Sequence, residues 1–236
     1  MNNICPVALY HGTSSIFLPS ILENGLGGIN AVKEWGILDL AREIFPYVEE
    51  LHMAKTAHFD DLDEFGSFKK MVNQEIVSSA FNFQHGDVYV SMSPKKSVEY
   101  TAEKRWGSEI LTYTLRYLQR LIDIDYKNIR GEMYHKYQKL YGLLRIYASP
   151  LLVEIKGLSF DDLLNEDGSP VDSKKKEWVE SLLSICSDDN RDEILQGCNF
   201  RLKKVIAKEN LKISLINVKR QSANFIDDYE LYQLMI

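Results

Sequence analysis

The sequence has no apolar run approaching the roughly 20 residues that a membrane-spanning helix needs, so no such helix and no membrane partner is expected. Cysteine is scarce. Cys5, Cys186 and Cys198 stand far apart, without a C-x-x-C spacing or a neighbouring histidine group. That distribution argues against a disulfide framework and a zinc site, and fits reduced thiols in a cytosol-like compartment. Positive charge is not in excess: 28 Lys and Arg against 34 Asp and Glu give a formal net charge of −6. A general electrostatic hold on nucleic acid is therefore disfavoured, leaving only a local basic patch. The opening residues, MNNICPVALYHG, lack a basic stretch followed by an apolar one, so an ordinary secretory signal is not expected. The expected location is the cytoplasm, or a target cell if specialised machinery delivers the chain.

What is present suits a folded protein. Hydrophobic residues make up 45% and charged residues 26% of the chain, ordinary values for a domain that buries a core. No internal repeat or low-complexity linker divides the 236 residues. The expectation is one domain with helical insertions near 30–80 and 116–195.

Residues 86–100, GDVYVSMSPKKSVEY, read as a short buried strand (Val88, Tyr89, Val90), a break at Ser93 and Pro94, and a helix presenting Ser97 and then Tyr100. If that helix folds back over the strand, the two tyrosines face a common space. Nearer the start, residues 7–10 read as a strand with His11 at its end. The helix that follows contains Ile16, Leu18, Ile21 and Leu22, with Ser14 or Ser15 as its cap, Pro19 in its first turn and Gly25 as its stop. Residues 31–80 have helical periodicity and many acids. Within them the run HFDDLDE, from His58 to Glu64, reads as a solvated acidic face, since no second histidine lies at helical spacing to hold a metal.

Residues 110–115 alternate as a strand does, with the start of a helix as the alternative. Residues 123–147 interleave tyrosines with basic residues. Such a stretch can stack bases and hold phosphates, or can form a half-exposed amphipathic helix, and the second reading is preferred. Further on, 151–155 read as a strand, 159–167 as a short helix, 168–170 as a turn and 177–195 as helical, and strands are expected within 200–206, 211–218 and 229–235.

The two segments around His11 and Tyr89 resemble the ADP-ribosyltransferases of the poly(ADP-ribose) polymerase and diphtheria-toxin type. In that family a strand ends in His-Gly and the helix after it closes at Gly-Leu. A second strand carries a tyrosine, with a serine eight residues later and another tyrosine eleven residues later. The matching positions are His11, Gly12, Gly25 with Leu26, Tyr89, Ser97 and Tyr100. The resemblance implies an α+β fold, a split antiparallel β-sandwich with helical insertions and the NAD cleft between its sheets. It also implies NAD as co-substrate, no metal, and transfer of ADP-ribose to an acceptor.

By the same resemblance His11 contacts a ribose hydroxyl, Gly12 and Thr13 border the nicotinamide, Tyr89 and Tyr100 stack on its ring, and Ser97 bonds its carboxamide. Gly12 suits its place because a ligand can approach a main chain without a Cβ. The oxocarbenium-like transition state requires a carboxylate near the sugar. The family's third position is a glutamate opening a late strand, and matching Tyr229 and Tyr232 to its pattern puts Asp228 there, with Glu230 as the rival carboxylate on the same face. The stretch KKVIAKENLKIS, from Lys203 to Ser214, is similar to the family's joint before a late strand.

The acceptor implied is a macromolecule, a protein rather than a nucleic acid given the acidic balance. The length suits a bacterial toxin or effector transferring a single ADP-ribose, with an inhibitor or antitoxin as a further partner. Two alternatives stand beside this reading. One is a catalytically silent protein that binds NAD or a partner. The other is an enzyme like the NAD-consuming RNA 2'-phosphotransferases, which requires several arginines aimed at a phosphate.

Overall fold

The computed structural model describes residues 4–78, 81–187, 190–222 and 225–235. In chain order these form β1 (Leu9–Ser14), α1 (Leu18–Asn24), α2 (Ala31–Glu34), α3 (Ile37–Met53), α4 (Leu62–Asn73), β2 (Ile76–Ser78) and β3 (Phe81–Asn82). Next come β4 (Tyr89–Ser91), α5 (Pro94–Glu103), α6 (Glu109–Asp123), α7 (Glu132–Lys136), α8 (Gln138–Leu143), β5 (Pro150–Ile155) and β6 (Leu163–Leu164). The last are α9 (Ser173–Ile185), α10 (Arg191–Leu195), β7 (Asn199–Leu202), β8 (Leu211–Ser222) and β9 (Phe225–Gln233).

The architecture is mixed α+β, with one open antiparallel sheet of seven strands in the order β6-β7-β4-β1-β5-β8-β9 and a separate β2-β3 pair. β1 pairs with β5 along its full length, from Leu9↔Ile155 to Ser14↔Pro150, but meets β4 at the single pair Tyr10↔Ser91. The ladder is thus continuous on one side of β1 and parts on the other. β5 is apolar on both faces, as befits a strand covered on both sides. Leu151, Val153 and Ile155 join the core that holds Ile21 of α1, Val179 of α9 and Leu195 of α10. Leu152 joins the opposite core, built with Val98 of α5, Ile216 and Ile226.

A third core is helical and unites α3, α4, α6 and α8. Its central member, α6, corrects the strand expected at 110–115. Six residues of alternation fit either period, but over all 15 residues of α6 Ile110, Leu111, Leu115, Leu118 and Leu121 share one buried stripe. The hydroxyls of Thr112 and Thr114 donate back to the Ser108 and Ile110 carbonyls, at 2.8 and 2.6 Å, so their burial needs no partner strand.

Four of the tyrosine and basic residues after Asp123, Lys127, Lys136, Tyr137 and Lys139, are engaged within the chain. Lys127 pairs with Glu50 at 2.6 Å and Lys136 with Glu43 at 2.7 Å, the Tyr137 hydroxyl donates to the same Glu43, and the Lys139 ammonium sits 3.7 Å from the centre of the Trp35 ring. No helix among the described residues is long and apolar enough to cross a membrane. The described residues also contain no group of three or more His, Cys, Asp or Glu able to hold a metal, and all three cysteines are free.

Candidate active site

Where β1 and β4 part, the His11 imidazole takes over the role of a ladder bond. Its Nδ1 lies 2.7 Å from the Tyr89 carbonyl oxygen, which can only accept, so Nδ1 carries the proton. Burial lowers the His11 pKa, with the Tyr89 carbonyl opposing it, and the ring is therefore neutral at pH 7. A neutral ring protonated at Nδ1 presents Nε2 as an acceptor. That is the polarity needed to receive a hydroxyl proton from a ligand.

α5 closes the second wall. Ser93 caps it by accepting from the Lys96 N–H at 3.1 Å, and Pro94 stands at its first position, where a missing N–H costs nothing. The helix is bound to β1 by two hydroxyls: Ser97 Oγ donates to the Tyr10 carbonyl at 3.1 Å, and Thr101 Oγ1 to the Thr13 carbonyl. Between them lies Gly12, where an added Cβ would stand 2.1 Å from the Ser97 carbonyl oxygen. Helix packing by itself therefore requires glycine there. The Ser97 hydroxyl proton is committed to the fold, but its remaining lone pair can still accept from an amide N–H. α1 begins after Phe17 without a side-chain cap, and Ser15 Oγ instead accepts from the Ser149 N–H at 3.0 Å, so the serine cap expected at 14 or 15 does not form.

The walls enclose a cavity of about 340 Å³ bordered by His11, Gly12, Thr13, Tyr89, Ser97 and Tyr100, so six predicted residues from three elements meet in one place. Burial is the main cause that raises the Tyr89 phenol pKa, with the Asp87 charge adding to it. The Tyr100 phenol is also raised by burial first and then by the Glu109 carboxylate, although 37% of the residue's surface remains exposed along its outer side. Both tyrosines stay protonated at neutral pH and can donate as well as stack. The far side of the cavity is apolar, with Phe17, Ala31, Val32 and Ile37 between sheet and helical layer.

Asp228 and Glu230 are not brought to this cavity. Both are exposed on β9, the edge strand, with β5 and β8 between it and β1. Three strand spacings of about 4.8 Å put β9 roughly 14 Å from β1, on the side away from β4. Asp228 stands opposite Arg220, while Glu230 pairs with Lys219 at 3.0 Å and accepts from the Tyr232 hydroxyl. The tyrosine pattern matched β9, but the late strand whose first residue borders the cavity is β7. That strand precedes the joint at 203–214, pairs with β4 through Ser91↔Asn199, and opens with an amide, Asn199.

Among the residues that border the cavity and that sequence reasoning missed are His85, Asp87, Glu109, Glu166 and Asn199. His85 precedes Gly86, and burial pushes its imidazole down to about 4. Its Nε2 is buried without a hydrogen-bond partner. Glu166 lies in the stretch 159–167 that reads as a short helix, and the pairing of β6 with β7 carries it to the site. No arginine borders the cavity among the described residues. No family model, curated protein or solved structure matches the chain.

Proposed function

We propose that the protein is an NAD-dependent mono-ADP-ribosyltransferase with a split antiparallel sheet, cleaving the nicotinamide–ribose bond and passing ADP-ribose to a macromolecular acceptor, a protein in preference to a nucleic acid. The observation that carries this reading is the convergence of His11, Gly12, Thr13, Tyr89, Ser97 and Tyr100 on one cavity. The cavity has the size and mixed lining of a small-molecule site. NAD supplies a carbon–nitrogen bond whose leaving group departs as a neutral molecule.

The chain's own groups suit that bond. His11 Nε2 accepts from a ribose hydroxyl and holds the sugar. Tyr89 and Tyr100 offer aromatic faces to a flat ring, and Ser97 with the main chain of Gly12 orients a carboxamide. The apolar wall reduces access of water, which strengthens every charge–charge term inside. Transfer of one ADP-ribose, and not polymer growth, accords with the resemblance, in which elongation relies on a glutamate whose matched position in this sequence holds Asp228. The absence of bordering arginines among the described residues weighs against the RNA 2'-phosphotransferase alternative.

The test is nicotinamide release from NAD by the purified protein, with labelled NAD and a cell lysate as the source of acceptors. The wild type is expected to release nicotinamide and label a lysate protein, and His11→Ala to lower kcat/KM about tenfold or more through loss of the ribose contact. Failure to bind NAD at millimolar concentration would end this reading. The position of Asp228 away from the cavity supports a second one, a protein that binds NAD without turning it over, and tight binding without release in any lysate would favour it.

A further inference from the structure

We propose that His85 is a specificity-determining residue of this cavity, its Nε2 accepting a hydrogen bond from the amino group of the adenine in NAD, an inference that rests on the transferase reading. His85 borders the cavity, and its Nε2 is buried without a hydrogen-bond partner among the described residues. A buried ring nitrogen gives up its bond to water on folding and is rarely left without a replacement. Buried N–H groups are orphaned more rarely than lone pairs, which favours the tautomer protonated at Nδ1, with Nε2 as an acceptor. A ligand that completes the site therefore brings a donor.

The main chain at His85 is held from two sides. Gln74 follows α4, and its Oε1 accepts from the His85 N–H at 2.8 Å while its Nε2 donates to the Met71 carbonyl at 2.6 Å. On the other side Gly86 packs on Asn30, because a Cβ at Gly86 would stand 2.6 Å from Asn30 Nδ2. Asn30 in turn caps α2, accepting from the Lys33 N–H at 3.1 Å. The next two residues, Ala31 and Val32, border the cavity. Trp35, at the end of α2, stacks on Phe17 with ring centres 5.0 Å apart and 12° between the planes. Phe17 borders the cavity too, so Trp35 fixes its ring from one face. His85, α2 and Phe17 thus form one continuous wall.

The chemistry of this wall suits a base better than a phosphate. Phe17, Ala31 and Val32 give it an apolar surface, and burial keeps the His85 imidazole neutral at pH 7. A phosphate oxygen brings no donor and calls for a cation. Lys96 is the sole Lys or Arg bordering the cavity among the described residues, and it stands on α5. Adenine has apolar faces that pack against a ring such as Phe17, and an amino group on its edge that donates. The bond from that amino group to Nε2 satisfies a nitrogen buried in the protein and a base edge withdrawn from water. A site built this way rejects an analogue that lacks the donor.

The experiment compares NAD with deamino-NAD, in which hypoxanthine replaces adenine and a carbonyl oxygen stands where the amino group was, while the nicotinamide end is unchanged. Affinities are measured by calorimetry for the wild type and for His85→Phe, which keeps a ring and removes both nitrogens. The wild type is expected to bind NAD about tenfold more tightly than deamino-NAD, the effect of one buried hydrogen bond left unmade, and His85→Phe to bind the two within about threefold of each other. Structural damage alone would weaken both ligands equally, so a His85→Phe protein that keeps the full preference would overturn the assignment. A wild type that binds both ligands within about threefold would also overturn it, and in either case the transferase reading stands. A wild type that binds no NAD would overturn both. Should His85→Phe fail to fold, the wild type decides by NMR of the His85 ring nitrogens at saturating ligand: a larger shift with NAD than with deamino-NAD supports the proposal, and equal shifts refute it.

Discussion

Substituting Gly12 by alanine tests the central joint of the site. The new Cβ would lie 2.1 Å from the Ser97 carbonyl oxygen and 3.2 Å from the Thr101 Cβ, about an ångström inside an ordinary carbon–oxygen contact in the first case. Both neighbours belong to α5, and the carbonyl is main chain, so no rotamer change relieves the overlap. The helix must move away from β1, which stretches the Ser97–Tyr10 and Thr101–Thr13 hydrogen bonds on either side. Overpacking of this kind costs about 1–3 kcal/mol, and weakening two largely buried bonds adds about 1–2. The entropy that alanine removes from the unfolded chain returns up to about 1 kcal/mol.

A net loss of about 1–5 kcal/mol corresponds to a fall in Tm of roughly 2–20 °C for a chain of this length. The assay is a thermal melt followed by circular dichroism, paired with NAD binding, since the displaced helix carries both Ser97 and Tyr100. A Gly12→Ala protein that melts within 2 °C of wild type and binds NAD equally well would refute the account of how α5 is set against β1.

Other predictions follow from the same structure. Burial depresses the His85 pKa to about 4 against about 6.5 unfolded, so the unfolded state binds the extra proton first as pH falls. The stability this contributes is fully present above about pH 6.5 and is lost toward pH 4, up to about 3 kcal/mol, and His11 acts in the same direction. Melts at pH 7.5 and pH 5.0 should show a smaller loss in His85→Gln than in wild type. Asp228→Ala and Glu230→Ala are expected to leave NAD binding and nicotinamide release within twofold of wild type, as groups on the far edge strand; a tenfold loss in either would mean that β9 contributes to the site after all. Thr101→Val, which removes a hydroxyl bonded to the Thr13 carbonyl but keeps the shape, should cost about 1–3 kcal/mol in denaturant titrations.

Local chemistry alone determined the pieces around the cavity. The break at Ser93 and Pro94 starts α5, Gly25 ends α1, and the apolar run 151–155 becomes a strand covered on both faces, because capping, backbone freedom and continuous hydrophobicity act over a few residues. The spacing of Tyr89, Ser97 and Tyr100 was legible for the same reason: a strand, a tight break and one and a half turns of helix leave little freedom in where those side chains point. The exclusion of β9 from the cavity was not legible. Asp228 and Glu230 occupy a strand whose local pattern of tyrosines fits, but strand order is set by long-range pairing, and the sheet puts β7 beside β4 and β9 at the opposite edge. Glu166 lies in a stretch that reads from sequence as a short helix, and the helical period of α6 overrides the short alternation at 110–115 only once a helical core is there to bury it. Tertiary structure decided these points because each depends on which distant segments become neighbours, and no window of residues holds that information.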